Sequence, residues 1–244
     1  MTFAVGIRVE AGLVALADTQ VVRGHQTSNK GKLSIIEHSD SHAFVMTSGL
    51  RSIRDKTVLR LEDELAALSE PCERMHQLVS AYGDQLKQVR EEDNASLTAS
   101  GLKFDSHAII GGQLAGDALP ELFLVYPEGN WVVATTDSPS FIVGRSAYGK
   151  PILDRLLRFE TSLREAVALA YLAFDATRTS TVDVGYPFDL LVLDSGRGPL
   201  RPQRFDAHDL QDAEAFWQTR LQAALADFPD KWADAVWSEA SRPR

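Results

Sequence analysis

The feature that most restricts how this chain folds is the order in which its two hydrophobic periodicities alternate. Strand-like and helix-like runs arrive in blocks, not one after the other. Phe3–Val9 and Leu13–Asp18 flank Glu10-Ala11-Gly12, and a short apolar pair around a turn glycine predicts a hairpin. The polar stretch from Val22 to Gly31 reads as a loop, after which residues 32–37 and 43–47 predict a second hairpin. Helical spacing then takes over at Ile53, Val58, Leu61, Leu65 and Leu68, closed by Pro71, and resumes at Met75, Leu78, Val79, Tyr82, Leu86 and Val89. Residues 94–101 read as a loop.

Strands return at 107–111, 121–126, 131–135 and 141–143. A second helical pair follows, one member starting near Ser146 with Ile152, Leu153, Leu156 and Leu157 as its apolar face. The other starts at the capping box Ser162-x-x-Glu165 and buries Leu163, Val167, Ala170 and Phe174. A strand at 189–194, a Gly/Pro-rich connector and a long amphipathic helix over 209–226 complete the order, with Trp232 and Trp237 beyond. A doubly wound parallel sheet needs strict strand–helix alternation, which is missing. Two sheets covered on their outer faces by helix pairs satisfy the order. The expected class is therefore α+β, a four-layer αββα sandwich over residues 1–197. A helical C-terminal extension over 198–244 would pack on that domain or on a neighbouring subunit, an arrangement its Trp and Leu residues suit.

Composition narrows the partners. A net charge of −9 over 244 residues argues against a nucleic-acid or anionic-membrane surface. Cys72 is the single cysteine, so no intramolecular disulfide forms, which fits a reducing cytoplasm. No stretch has the apolar length of a membrane span, and the N-terminus lacks a basic n-region while Arg8 and Glu10 interrupt its apolar run, unlike a signal peptide. The histidines at 25, 38, 42, 76, 107 and 208 lack metal-ligand spacing, and Gly111-Gly112 opens no phosphate-binding helix. No metal and no cofactor is expected.

Chemistry points to the second residue. A small residue after the initiator methionine usually permits its removal, which would leave Thr2 with a hydroxyl nucleophile and an α-amine on one residue. An α-amine of pKa about 7.7–8.0 is partly neutral at cellular pH and serves as the base. Asp18 ends the second strand and Lys32 opens the third, so both sit where a returning chain brings them to the strand that starts at Thr2. A lysine beside the hydroxyl favours its alkoxide and an aspartate holds the lysine. Ser48-Gly49 closes a strand before a helix, a place where a backbone N–H suits an oxyanion hole. Taken alone, Asp18 and Lys32 read as an exposed ion pair of little worth. Taken with Thr2 and Gly49 in this order, they read as a site.

These motifs resemble the proteasome β-subunits in order and spacing: Thr2-x-x-x-Gly6-Ile7, Leu16-Ala17-Asp18-Thr19, Lys32-Leu-Ser-Ile-Ile and Thr47-Ser48-Gly49. Tyr148-Gly-Lys-Pro-Ile-Leu-Asp-Arg155 and Pro187-Phe-Asp-Leu-Leu-Val192 look like the bacterial branch, Anbu and the betaproteobacterial proteasome homologue. The resemblance spans about Thr2 to Asp194. It implies an N-terminal-nucleophile (Ntn) hydrolase fold and a threonine-type peptidase with Thr2 as nucleophile and base, Lys32 and Asp18 as the activating pair, and Gly49 as an oxyanion donor. It also implies a homo-oligomeric ring or helix around an interior chamber that takes peptides or unfolded protein, with an ATP-dependent unfoldase left unspecified. The sequence departs from the family at Val143-Gly144-Arg145-Ser146, where a serine-glycine element is usual, and at Ser180-Thr-Val-Asp183, where the family's Asp and Ser stand in exchanged order. Ser180 and Asp183 are candidate supports for the Thr2 amine. The same fold also admits a small-molecule or isopeptide amidase, or a catalytically silent ring-forming scaffold.

Overall fold

In the computed structural model, which describes residues 2–23, 26–38, 41–194, 200–234 and 236, the apolar opening run forms the middle of a sheet. Strands β1 (Phe3–Val9) and β2 (Gly12–Asp18) are buried along almost their whole length, because both faces of this hairpin are covered. The hairpin pairs with β10 (Ser140–Gly144) on one side and β11 (Phe188–Asp194) on the other. The resulting order is β10-β1-β2-β11-β12, where β12 is the short strand Gln203–Phe205. A second sheet has the order β5-β6-β7-β8-β9. Its members are β5 (Leu33–His38), β6 (Ser41–Ser48), β7 (His107–Gln113), β8 (Glu121–Val125) and β9 (Trp131–Val133). All pairings in both sheets are antiparallel.

The two sheets share one apolar layer. Ala4, Leu13, Ala15 and Ala17 of the first meet Phe44, Met46, Ile109 and Leu122 of the second, with small residues facing large ones. The outer face of the second sheet takes helices α1 (Arg51–Ala67) and α2 (Met75–Ala99). Ile53, Leu61, Leu65, Leu78, Tyr82 and Leu86 close over Val45, Ile110 and Phe123. The first sheet is covered by α4 (Leu163–Arg178), on which α3 (Lys150–Leu156) packs. Phe174 of α4 lies 6.2 Å from the Phe3 ring and 5.0 Å from the Phe188 ring, an anchor whose truncation to alanine costs about 3–5 kcal/mol. The α4 start is the expected reciprocal box: Ser162 Oγ accepts from the Glu165 N–H and Glu165 Oε2 accepts from the Ser162 N–H.

Two stretches read as loops are regular structure. The segment after β2 is a hairpin ribbon, β3 (Gln20–Arg23) with β4 (Gln26–Asn29), held by backbone pairing that its polar side chains do not advertise. Helix α2 continues through 94–99, because Lys56 and Arg60 of α1 bind Asp93 and Glu92, and Leu97 packs against the α1/α2 core. The compact unit containing both sheets ends at Phe205, and a second begins at Asp206. That second unit contains α5 (Gln211–Ala226) and a 3₁₀ turn, Lys231–Ala233. Helix α5 buries none of its residues within the single chain, and Phe216, Leu225 and Trp232 are exposed. Met1, His25, the connector at 195–199 and Trp237 lie outside the described residues. No helix among the described residues is long and apolar enough to cross a membrane.

Candidate active site

The hairpin register places Asp18 across from the start of β1. Ala17 pairs with Ala4, so the next residue on β2 lies beside the chain entering at Thr2. Asp18 is fully buried, and its Oδ1 accepts two bonds: the Phe3 N–H at 2.8 Å and the Lys32 ammonium at 2.7 Å. Lys32, just before β5, also donates to the Gln20 carbonyl at 2.7 Å. The pair is largely shielded from solvent, Asp18 being fully buried and Lys32 6% exposed. Burial pushes the Asp18 carboxyl above its ordinary value and the Lys32 ammonium below its own, while their mutual attraction works against both shifts. A buried lysine so lowered gives up its proton more readily than a surface one.

The Thr2 main chain is gripped from the other side as well. Phe3 pairs with Gly144 across β1 and β10, and the Arg145 N–H donates to the Thr2 carbonyl at 2.8 Å. A Cβ on Gly144 would stand 1.9 Å from that carbonyl oxygen, and the residue has a φ of +85°, so the approach is open to glycine alone. Arg145 then reaches out with its side chain. Its Nη2 is 2.9 Å and its Nε 3.3 Å from Asp183 Oδ2, which joins two segments 38 residues apart. Burial works to raise the Asp183 carboxyl, but the Arg145 guanidinium outweighs it and holds the group below its ordinary value. The same carboxylate acts at a distance to favour the charged form of Lys32.

Gly49, between β6 and α1, has a φ of +103°, and a Cβ there would stand 1.9 Å from the Asp105 carbonyl. Thr2, Lys32, Thr47, Gly49, Gly144 and Ser146 line one cavity of about 1200 Å³. Further walls come from Val21 and Ser28 of the ribbon, from Arg51 and Arg54 at the start of α1, and from His107 and Tyr126. A volume of that order holds an extended peptide segment, since drug-sized ligands occupy about 300–1000 Å³.

The structure therefore joins Asp18 and Lys32 to the N–H of Phe3, the residue next to Thr2, and puts Thr2, Lys32 and Gly49 on the same cavity. Asp183 joins through Arg145. Ser180 stands elsewhere: its exposed hydroxyl donates to the Ala176 carbonyl at 2.9 Å, at the end of α4. Arg145 as the partner of Asp183 was not legible in the sequence, although the departure at residues 143–146 marks the place. The cationic wall at Arg51 and Arg54 also went unread, because an amphipathic helix start gives no sign of what its first turn faces.

No protein-family profile and no curated protein matches the sequence; solved structures do. A Gly-1 mutant of Anbu from Hyphomicrobium sp. strain MC1 superposes with a TM-score of 0.84 at 30% identity, over 94% of this chain and 98% of that one. Anbu, the ancestral beta-subunit, from Yersinia bercovieri gives 0.84 at 25% identity over 93% of this chain and 97% of its own. The helical assembly of the Anbu complex from Pseudomonas aeruginosa gives 0.84 at 27% identity over 93% and 97%.

Proposed function

We infer the function from one premise: this chain belongs to the Anbu family, whose fold is that of the proteasome-like Ntn hydrolases. The reading is a self-compartmentalising N-terminal-threonine peptidase, built as a four-layer αββα sandwich and assembled with copies of itself into a ring or helix. The observation that carries it is the buried Asp18–Lys32 pair, hydrogen-bonded to the N–H of the residue next to Thr2 and opening on the same cavity as Gly49. A structural ion pair on the surface needs neither that burial nor that neighbour.

In this reading Thr2 carries a free α-amine. Its Oγ attacks a peptide carbonyl while the hydroxyl proton passes to the amine, aided by the Lys32–Asp18 pair. The Gly49 N–H stabilises the tetrahedral oxyanion. Collapse breaks the C–N bond, the leaving amine takes the proton, and an ester to Thr2 remains. Water, deprotonated by the same amine, hydrolyses that ester and restores the hydroxyl. Asp183 would bias Lys32 and the amine electrostatically, with Ser180 outside the reacting group.

The test has two parts. The intact mass of the purified chain shows whether Met1 has been removed, and a small electrophile directed at N-terminal threonine then labels the mature protein but not the Thr2→Ala variant. Peptide turnover that is unchanged in Thr2→Ala removes the mechanism. A panel of peptides against short acyl amides and γ-linked amides separates a peptidase from an amidase at the same residue.

A further inference from the structure

We propose that the cavity selects substrates bearing a carboxylate near the scissile carbonyl, and that Arg51 and Lys30 take that carboxylate. This rests on the reading of Thr2 as the acyl acceptor and names the class of substrate it would receive.

The chain as a whole is acidic, with a net charge of −9, yet Lys30, Arg51 and Arg54 all line the cavity beside Thr2. Their nearby carboxylates are largely committed. Asp55, outside the lining, is shared by two guanidiniums: Arg54 Nε and Nη2 hold Oδ1 at 2.9 and 2.7 Å, and Arg51 Nε holds Oδ2 at 3.0 Å. Two cations on one carboxylate leave a positive charge in excess. Asp105, the carboxylate in the lining, engages His107 Nδ1 at 3.1 Å.

The donors divide clearly between occupied and available. Arg54 uses all three guanidinium nitrogens, the third on the Gly31 carbonyl at 2.8 Å, so it is a fixed strut. Arg51 engages Nε alone, which leaves both terminal nitrogens without a partner among the described residues, and its side chain is 55% exposed. Lys30 is exposed and its ammonium forms no ion pair among the described residues. The first turn of α1 contains these two arginines and no acid, although a helix start disfavours cations. That arrangement costs α1 some stability, and an arriving carboxylate would offset the cost. A half-exposed guanidinium whose inner edge is pinned and whose outer edge is free is set up for a bidentate carboxylate.

Two sources supply such a group: an Asp or Glu side chain on the residue that donates the acyl group, or the terminal carboxylate of a short peptide. Binding to the full-length Thr2→Ala variant measures recognition without chemistry. Calorimetry would compare N-acetylated pentapeptide amides carrying Glu or Gln at one position, then the Gln peptide with a free or amidated C-terminus. We expect the acid to bind about tenfold more tightly than its amide isostere, the size of one charge-assisted contact at a partly wet site. The source is the arm in which that gap appears. The gap should narrow with added salt, vanish in Arg51→Gln and reverse in favour of a Lys peptide in Arg51→Glu, with circular dichroism confirming the fold of each. Equal affinity for acid and amide in both arms overturns the proposal, as does a gap that survives Arg51→Gln and Lys30→Gln together. Failure of a neutral electrophile to label the mature wild-type chain would instead remove the Thr2 reading, and leave the binding result to stand or fall by itself.

Discussion

Replacing Asp18 by asparagine tests the centre of the site through stability, with no substrate needed. The carboxylate is fully buried, and its Oδ1 holds both the Phe3 N–H and the Lys32 ammonium. Asparagine keeps an oxygen for the Phe3 N–H, and Lys32 keeps the Gln20 carbonyl, so the loss is the charge that opposes a buried ammonium. Breaking a buried pair by removing one partner costs about 3–5 kcal/mol, and the retained bonds place Asp18→Asn at the lower end, about 3 kcal/mol. Asp18→Ala also orphans the Phe3 N–H and should cost about 1–3 kcal/mol more.

The pH dependence has a definite sign. Burial already holds Lys32 below its ordinary value, and the attraction of Asp18 is the larger of the forces resisting that shift. In Asp18→Asn the folded-state pKa falls further, so over a wider range the unfolded chain binds a proton that the folded chain does not. Stability therefore rises with pH from the new folded value up to the ordinary lysine value, and the deficit against wild type narrows as pH climbs. Urea unfolding followed by tryptophan fluorescence reads this directly, because Trp131 packs edge-on against Phe123 at 5.3 Å. Protein concentration must be held constant, since assembly would add to apparent stability. A deficit below about 1 kcal/mol, or one that widens with pH, would refute a charged pair working in a dry site.

Gly49→Ala should lower turnover by about 10²–10³, the loss of one oxyanion donor, because its Cβ cannot share space with the Asp105 carbonyl; wild-type rates would show that this N–H takes no part. Arg145→Gln should lower turnover and move the acid limb of the rate profile upward, since Asp183 loses the guanidinium that holds its carboxyl down. The sign for stability agrees: the pair contributes above the ordinary carboxylate range and fades as pH falls through the depressed value, so Arg145→Gln should match wild type only in acid. Arg145→Lys should recover part of both effects; a profile unmoved in either variant would make the pair a surface contact. In the wild-type protein, kcat/KM should fall below pH about 7.7–8.0 as the Thr2 amine takes up its proton. A profile flat from pH 6 to 9 would exclude that amine as the base.

The parts of the fold that were legible in the sequence are those where burial writes a pattern. Strand β1 begins and ends where its apolar run does, and the capping box at Ser162 starts α4 because both of its hydrogen bonds are local. The ribbon β3–β4 escaped because a two-stranded pairing is made by the backbone, and Gln20, Thr27 and Ser28 show no apolar alternation. The 94–99 stretch escaped for the opposite reason: its sequence is loop-like, and ion pairs from α1 carry the helix through it. Ser180 illustrates a third limit. It is one of a run of hydroxyls at the end of α4, Thr177, Thr179, Ser180 and Thr181, each bonded to a carbonyl four residues back. Local bonding at a helix end wins the side chain before any long-range partner can.

That contrast separates what the scaffold fixes from what it leaves adjustable. The Thr2–Phe3 main chain is held by Asp18 from β2 and by Arg145 from the end of β10, and the pairing fails sterically unless residue 144 is glycine. In the proposed mechanism the nucleophile sits directly before a buried strand and moves less than one carried on a loop, which is the precision that acyl transfer requires. Asp18 lies beside that strand because the β1–β2 register places it there, whereas Lys32, just before β5 of the other sheet, reaches it through its ammonium. The walls facing a substrate come from elsewhere, from a polar ribbon, the first turn of α1 and the segment around His107. In the proposed mechanism the nucleophile is thus tied to backbone gripped from both sides, while the cations that would choose its substrate lie just before β5 and in the first turn of α1.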